Sequence, residues 1–351
     1  STAMIFGLVS LMFLDTSINM AMQPFKMMVG DMVNEKQKGL AYSIQSFLCN
    51  AGSLVGFLFP FIFTWIGISN IAPQGVVPDS VIYSFYIGAA ILILCVIYTT
   101  VKVKEMPPAE YAEYHGITEE EKKEKINMVK LLVKAPKAFW TVGLVQFFCW
   151  FAFMFMWTYT NGSVAANVFD APTVETVVNG ASKIVLDTKS IQYQNAADWV
   201  GVLFAVQAIG SVLWAVCIPM FKNRKLIYSL SLVLGGIGFI STYFVHNQYV
   251  LFISFLLIGC AWAAMLALPF TILTNALSGG HMGTYLGLFN GTICIPQIVA
   301  ATLGGSILAL FTPKGMLPPE INMLVMAGVM LIIGAVCVYL IKETKGEQAK
   351  A

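Results

Sequence analysis

A chain of 351 residues with 58% hydrophobic and 11% charged residues is too apolar for a soluble domain, where about a quarter of the residues are charged. The net charge of +2 gives no reason to expect a nucleic-acid partner. The apolar residues form runs long enough to cross a bilayer, and a single segment in hydrocarbon pairs its backbone polar groups only as a helix. We therefore expect an all-α integral membrane protein whose surroundings are the lipid bilayer.

Apolar runs predict nine membrane spans. In chain order these are Thr2–Phe25, Leu40–Ile66, Val81–Val101, Phe139–Tyr159, Trp199–Phe221, Leu226–Val245, Tyr249–Leu273, Gly283–Phe311 and Ile321–Ile341. The seven cysteines lie singly within these runs, where we expect them to pack as small apolar residues.

The distribution of basic residues predicts the orientation. Of the 20 Lys and Arg residues, 17 fall in alternate connections, which the positive-inside rule assigns to the cytoplasm. The C-terminus is then cytoplasmic, and the first span runs inward from outside. No signal-like segment comes before that span. We therefore interpret the chain as lacking helices that precede Ser1.

Two long polar connections divide the spans into groups. In the cytoplasmic connection 102–138, Thr118-Glu119-Glu120-Glu121 is typical of a capping box,. An apolar stripe follows it, made of Ile126, Val129, Leu132 and Val133. The pattern predicts an amphipathic helix on the membrane surface. A solvated charged linker is the alternative.

The second connection, 161–198, is extracytoplasmic on this orientation, and Asn179-Gly180 between β-prone runs predicts a small hairpin there,. The chain then comprises a remainder of an N-terminal helical bundle (1–101), the linker (102–138) and a C-terminal six-helix bundle (139–351) that contains the loop 161–198.

Asp15 is the one carboxylate in the middle of a predicted span. An Asp at the bilayer centre costs about 2.5–3.5 kcal/mol, and intramembrane carboxylates usually face a transport pathway. Because protonation removes that charge, Asp15 is suited to binding and releasing a proton. Asn19, Gln23 and Lys26 follow on roughly the same helix face,. A buried structural Asp is the alternative interpretation.

The segment Leu14-Asp15-x3-Asn19-x4-Pro24-x-Lys26-x4-Asp31 resembles the fourth helix of the sucrose–proton symporters, a branch of the major facilitator superfamily related to the glycoside–pentoside–hexuronide symporters. In that branch the aspartate binds the proton and a sugar hydroxyl, and a basic residue eleven positions on, usually Arg, takes part in transport. Lys26 keeps the charge without the bidentate fork of Arg. We expect Asp31, at the cytoplasmic end, to pair with basic loop residues as a gate.

Other stretches resemble the seventh, tenth and eleventh helices of the same branch. They are Gln146-Phe147-Phe148-x-Trp150-Phe151 with Trp157-x-Tyr159-Thr160, Gly259-Cys260-Ala261-Trp262-Ala263 with Leu268-Pro269-Phe270, and Gly283-Thr284-Tyr285-Leu286-Gly287-Leu288-Phe289-Asn290 with Ile295-Pro296-Gln297. The resemblance covers nearly the whole chain. It implies the major facilitator superfamily fold, with nine of its twelve transmembrane helices present, from the fourth to the twelfth.

A sugar site needs amides and hydroxyls for the sugar hydroxyls and flat aromatic faces for the ring. Uncharged amides within spans are Gln45, Asn50, Gln146, Gln207, Asn290 and Gln297, and nearby aromatics are Trp150, Trp157 and Tyr159. Interhelical hydrogen bonds and interfacial aromatic belts explain any one of them equally well. The predicted substrate site consists of Asp15, Asn19, Gln23, Lys26, Gln146, Trp150, Trp157, Asn290 and Gln297.

These observations favour a proton-coupled symporter of a sugar, such as the disaccharides sucrose and maltose, in the cell (inner) membrane. We expect no cofactor besides an ion gradient, with sodium open as the coupling ion, no metal and a monomer, which is usual for this fold. The alternatives are an exporter or uniporter of another small solute and an inactive truncated remnant. A membrane enzyme is disfavoured, because His, Asp and Glu do not cluster near one membrane face.

Overall fold

Helices form most of the structure. The computed structural model describes residues 2–33, 37–68, 77, 79–104, 107, 110, 113, 128–178, 181–276, 282–313 and 315–341. The helices are α1 Thr2–Met32, α2 Lys38–Trp65, α3 Asp79–Lys102, α4 Met128–Val133, α5 Lys137–Asn167, α6 Ile191–Cys217, α7 Arg224–Ser241, α8 Leu251–Ala276, α9 Met282–Phe289, α10 Gly291–Phe311 and α11 Ile321–Cys337. Each predicted span coincides with one of these helices, except that the eighth is divided between α9 and α10.

The predicted all-α membrane fold is confirmed. Within the described residues, eight helical segments are long and apolar enough to cross a membrane. The remaining predicted span, α2, carries buried polar side chains at Ser43, Ser46 and Asn50. These side chains bond largely within their own helix, as when Asn50 Nδ2 donates to the Ser46 carbonyl at 2.7 Å. Because α2 packs against α6 and α8, its polar face meets protein.

The helices after residue 137 form a closely packed bundle. Helix α8 packs against α6 and α7, α11 packs against α5 and α7, and α10 packs against α5. Large side chains fill the centre of this bundle and are almost fully buried, including Phe153, Phe155, Tyr228, Phe239, Phe255 and Phe289. This dense core gives the second half of the chain a rigid framework.

Helices α1 and α3 lie at the periphery of the described structure. None of the apolar segment Ile5–Met22 of α1 is buried, and only 6% of the Asp79–Lys102 segment is. Helix α1 contacts α9 and α2, and α3 contacts α2. Their remaining apolar surface is of the kind that lipid or other helices cover in a membrane. That further helices precede Ser1 stays a prediction.

The predicted hairpin is confirmed in the connection between α5 and α6. Strands β1 (Thr173–Val178) and β2 (Ala181–Leu186) pair antiparallel, with Thr173 opposite Leu186 and Val178 opposite Ala181. The turn residues Asn179 and Gly180 lie outside the described residues. The described helices also extend into this connection, since α5 continues to Asn167 and α6 begins at Ile191.

The end of the linker docks on the start of α9. Helix α4 covers Met128–Val133, within the predicted amphipathic segment, and the Tyr285 hydroxyl donates to the Leu131 carbonyl over 3.3 Å. The predicted capping box at 118–121 lies outside the described residues. Pro136 occupies the N-cap position of α5, which separates the linker from the bundle.

Glycines allow α6 and α8 to cross in backbone contact. A Cβ atom on Gly210 would lie 2.5 Å from the Leu256 carbonyl oxygen, and one on Gly259 would overlap the Gln207 carbonyl oxygen. Small residues at crossings are how membrane helices pack closely, because lipid supplies no hydrophobic drive between them.

We expect Gly259→Val to destabilise the protein by about 1–3 kcal/mol, the usual result of overpacking a filled interior. The matched control is Gly201→Val on α6, where an added Cβ meets nothing within 4 Å. Thermal unfolding in detergent, followed by tryptophan fluorescence, should show a lower midpoint for Gly259→Val than for the control. Equal midpoints would contradict the close crossing.

Candidate functional site

Asp15 lies in the middle of α1 and is exposed. Its carboxylate is within electrostatic range of the Cys294 thiol on α10, and α1 also contacts α9. The Asn19 amide donates to the Asp15 carbonyl oxygen at 2.9 Å, so it bonds to the backbone of its own helix. The central carboxylate of the first half of the chain therefore lies within electrostatic range of α10, on a helix that contacts α9.

Asn290 marks the joint between α9 and α10. It lies between Phe289, the last residue of α9, and Gly291, the first of α10. Its side-chain nitrogen is 3.9 Å from the Cys294 sulfur, and its Oδ1 is buried without a hydrogen-bond partner. Asp15 and Asn290 thus share Cys294 as a neighbour. The backbone of Asn290 keeps helical dihedral angles and bonds to Leu286 and Cys294, so α9 and α10 follow one another as a single membrane-length segment.

Gln146 lies on α5 and is completely buried. Its Nε2 donates to the Met265 carbonyl of α8 at 3.0 Å, whereas its Oε1 has no partner. One turn later on α5, Trp150 Nε1 is also buried without a partner. A buried acceptor and a buried donor therefore lie one helical turn apart, and buried polar atoms in a native protein normally have partners.

Three tryptophans cluster where α5 meets α8. The ring centroids of Trp150 and Trp157 are 6.4 Å apart, and Trp262 lies 5.7 Å from each of them. Trp157 is 44% exposed, and Phe153 supports the cluster with its ring centroid 4.9 Å from that of Trp262. The cluster therefore presents aromatic surface on one side and is anchored in the core on the other.

Sequence reasoning proposed Trp150 and Trp157 but missed Trp262. The signal was present, because Trp262 lies within the Gly259–Ala263 stretch that resembles the family's tenth helix. What the sequence lacked was the pairing of α5 with α8, which brings together residues more than 100 positions apart. That pairing also produces the hydrogen bond from Gln146 to Met265.

The other predicted site residues are described less fully. Gln297 is half-buried on α10. Gln23, Lys26 and Asp31 belong to α1, but their side chains lie outside the described part of the structure. The polar stripe below Asp15, the cationic partner at Lys26 and the gate at Asp31 therefore stay predictions.

The beginning of α5 lies beside the beginning of α10. A Cβ atom on Gly143 would be 3.0 Å from the Thr292 methyl group. This contact brings the helix that carries Gln146 and Trp150 next to the helix that carries Asn290 and Cys294. Among the described residues, no group of three or more His, Cys, Asp or Glu side chains is arranged to hold a metal ion.

Long apolar helices that carry a mid-helix carboxylate and unsatisfied polar groups are typical of polytopic membrane transporters. The sequence profile of the Major Facilitator Superfamily matches residues 3–186 and 164–351. The two matches together take in nearly the whole chain, so the chain belongs to the Major Facilitator Superfamily. The superfamily predicted from the sequence motifs is thereby confirmed, and the sucrose branch stays a prediction.

Among solved structures, the fold is similar to the crystal structure of the E. coli fucose:proton symporter, with a TM-score of 0.56. The sequence identity is 14%, and the similarity covers 90% of this chain and 72% of that chain. At this identity the comparison shows the fold alone. A search of curated proteins gave no matching sequence.

The proximity of α1 and α10 is testable by cross-linking. In Asp15→Cys, the new thiol should be joined to the native Cys294 by a short bifunctional thiol reagent, because the Asp15 side chain lies near Cys294. The control is Ser17→Cys, two residues further on and therefore on another face of α1. Peptide mass spectrometry should find the cross-link several-fold more abundant for Asp15→Cys. Equal yields would show that α1 does not present Asp15 to α10.

Proposed function

We propose that the protein is a proton-coupled symporter of a sugar, of the disaccharide type represented by sucrose and maltose, working by alternating access. The observation that carries the proposal is the position of Asp15, a carboxylate in the middle of a membrane-length helix that contacts α9 and places the acid within electrostatic range of Cys294 on α10. Ionisable groups within membrane spans usually mark ion or substrate pathways.

Asp15 acts as the proton site in this proposal. An ionised carboxylate needs water or a cation, and in the bilayer interior its charge costs about 2.5–3.5 kcal/mol. Proton uptake removes the charge, so that the carboxyl group can pass through a conformation closed to water on both sides. Its O–H is then also available to donate to a sugar hydroxyl.

The residues of α5, α8 and α10 supply the sugar contacts. Gln146 Oε1 and Trp150 Nε1 are buried in this conformation, and in a conformation that opens the contact between α5 and α8 a sugar hydroxyl, which both donates and accepts, can satisfy them. The exposed side of the tryptophan cluster offers a flat face for the C–H groups of the ring. Asn290 Oδ1, also without a partner, accepts from a second hydroxyl near Asp15.

Alternating access requires contacts between the two halves to break and re-form. The described contacts of this kind are α1 with α9, and α2 with α6 and α8. Rocking of the bundle that contains α1–α3 against the bundle that contains α5–α11 would expose Asp15 first to one side of the membrane and then to the other. The tyrosine contact between Tyr285 and α4 ties the linker to the moving interface.

The printed name of the similar structure, a fucose:proton symporter, agrees with sugar–proton symport as the class of reaction. The choice of a disaccharide rests on the sequence motifs around Asp15 and Asn290. A cytoplasmic C-terminus in the cell membrane follows from the distribution of Lys and Arg,.

Transport in proteoliposomes tests the proposal. An inward proton gradient should drive accumulation of radiolabelled sucrose or maltose, and Asp15→Asn should abolish accumulation because Asn binds no proton in this range. The control Ser17→Ala removes a hydroxyl that bonds only to the Phe13 carbonyl of α1 and should accumulate sugar normally.

Three outcomes separate the alternatives. If a sodium gradient drives accumulation without a pH gradient, the coupling ion is sodium and not the proton. Uptake that equilibrates without accumulating would indicate a uniporter. If neither disaccharide moves although a different solute does, the substrate class is wrong and the superfamily fold stands.

The tryptophan cluster makes a second prediction. Because an aromatic contact contributes about 0.5–1.5 kcal/mol, Trp262→Leu should weaken sugar binding by about 2- to 13-fold. The control is Trp140→Leu, since Trp140 is 52% exposed and lies outside the cluster. Binding is measured by the quenching of tryptophan fluorescence on adding sugar. Equal sugar affinities for the two variants would show that Trp262 does not contact the sugar.

A further inference from the structure

Glu320 occupies the N-cap position of α11, but its side chain makes no cap hydrogen bond. A carboxylate at this position ordinarily accepts from a backbone N–H of the first turn and is favoured by the helix dipole. Glu320 makes no use of that stabilisation, because its carboxyl group is turned toward a neighbouring helix.

The carboxyl group of Glu320 packs on Gly162 of α5. A Cβ atom on Gly162 would overlap both carboxyl oxygens of Glu320, so only glycine leaves room for the acid here. The Tyr159 hydroxyl, one turn earlier on α5, is within electrostatic range of Glu320. Tyr159 in turn packs on α10, where a Cβ atom on Gly304 would be 2.6 Å from its hydroxyl oxygen. The last turns of α5 thus lie between α10 and α11. We call this region, which contains Tyr159, Gly162, Gly304 and Glu320, the outer end of the bundle.

Among the described residues, no cationic group contributes to the electrostatics of the Glu320 carboxyl. Burial raises the pKa of the Glu320 carboxyl from its ordinary value to about 7, and burial is its only cause. The titratable group that faces it from α5 is Tyr159, and the contact from α10 is made through Gly304. Lys314, in the connection before α11, lies outside the described residues.

A small cavity lies beside this contact. Its volume is about 10 Å³, and it is lined by Ser163, Val164, Asn167, Val168, Thr242, Val245, Leu251, Phe255, Ile321 and Leu324. That is about the minimum space for one water molecule. The Ser163 hydroxyl is buried without a hydrogen-bond partner, so a water there has a polar group to bond. Ile321, the residue after Glu320, lines this mostly apolar cavity, so the cavity lies next to the turn that carries Glu320.

We propose that Glu320 is a proton-binding site at the outer end of the bundle, separate from Asp15, and that release of its proton loosens the contact between the end of α5 and the start of α11. The neutral acid packs against Gly162, whereas the ionised carboxylate gains by moving to water. On the proposed orientation this end faces the outside medium. The proposal does not depend on which solute is carried.

Infrared titration of the reconstituted protein tests the proton site directly. The C=O stretch of a protonated carboxyl should disappear with a midpoint near pH 7 in the wild-type protein, as burial of Glu320 implies. Glu320→Gln should remove that titrating band, and Asp15→Asn should keep it. A band that persists in Glu320→Gln, or a midpoint close to the ordinary value of about 4.3, would overturn the proposal.

A second variant keeps the test decisive if Glu320→Gln fails to fold. In Gly162→Ala the added methyl group displaces the carboxyl from its site, because it overlaps both oxygens. The midpoint of the infrared band should then fall toward about 4.3, the value of a solvated Glu. A midpoint that stays near 7 would show that the contact with Gly162 does not hold the acid.

Thiol labelling tests the loosening of the helix contact. Ser163→Cys places a thiol on the buried face of α5 beside Gly162, and His246→Cys places a reference thiol in the exposed connection between α7 and α8. Labelling of Ser163→Cys relative to the reference should rise about tenfold from pH 6 to pH 8, as the ionised fraction of a group titrating near 7 does.

The same relative rate should be independent of pH when Glu320→Gln is added. If the relative labelling rate of Ser163→Cys rises equally with pH with and without Glu320→Gln, or rises in neither protein, ionisation of Glu320 does not open the outer end. Because neither measurement involves sugar uptake, a failure here is distinguishable from a failure of the proposed transport function.

Discussion

In the hydrocarbon of a bilayer no water is present to satisfy a polar group, and every feature of this structure follows from that constraint. Backbone groups are paired by making nearly every element a helix, and hydroxyls within the helices bond to carbonyls one turn earlier, as Thr160, Ser231 and Thr271 do. Against that background, Gln146 Oε1 and Trp150 Nε1 are buried atoms without a hydrogen-bond partner in the described structure, and on the proposed function a sugar hydroxyl becomes that partner.

The same constraint explains which parts of the fold were predictable. Apolar runs gave the position of every long helix, because length and hydropathy alone decide whether a segment can cross a membrane. The helix ends were predicted less well, since α6 begins eight residues before Trp199, where the Ser190 hydroxyl accepts from the Tyr193 amide. A hydropathy profile contains no information about such a cap. The hairpin was predictable because Asn-Gly strongly favours a tight turn.

The site was predictable as single residues and much less so as an arrangement. An Asp in the middle of an apolar run is visible in any sequence, and so is a Trp beside a motif. That Asp15 comes within electrostatic range of Cys294, or that Trp262 joins Trp150 and Trp157, depends on which helices pack together. Glu320 was passed over for a related reason. Its position before an apolar run suggests a solvated cap, and it is the glycine opposite, on a helix far away in sequence, that lets its half-buried carboxyl group pack between helices.

On the two proposals, protons bind at two depths of the molecule, at Asp15 and at Glu320. A proton shifts a conformational equilibrium only if it binds one conformation more tightly than the other. At Glu320 the contact with Gly162 supplies that difference, because the neutral acid fits there and the ionised acid does not. At Asp15 the proposed difference in proton affinity between the two conformations depends on whether the carboxylate is surrounded by water or by helices α9 and α10. On the proposed scheme the outer acid senses the proton concentration of the medium first. It thereby sets how tightly the end of α5 is held before the proton and solute reach the centre.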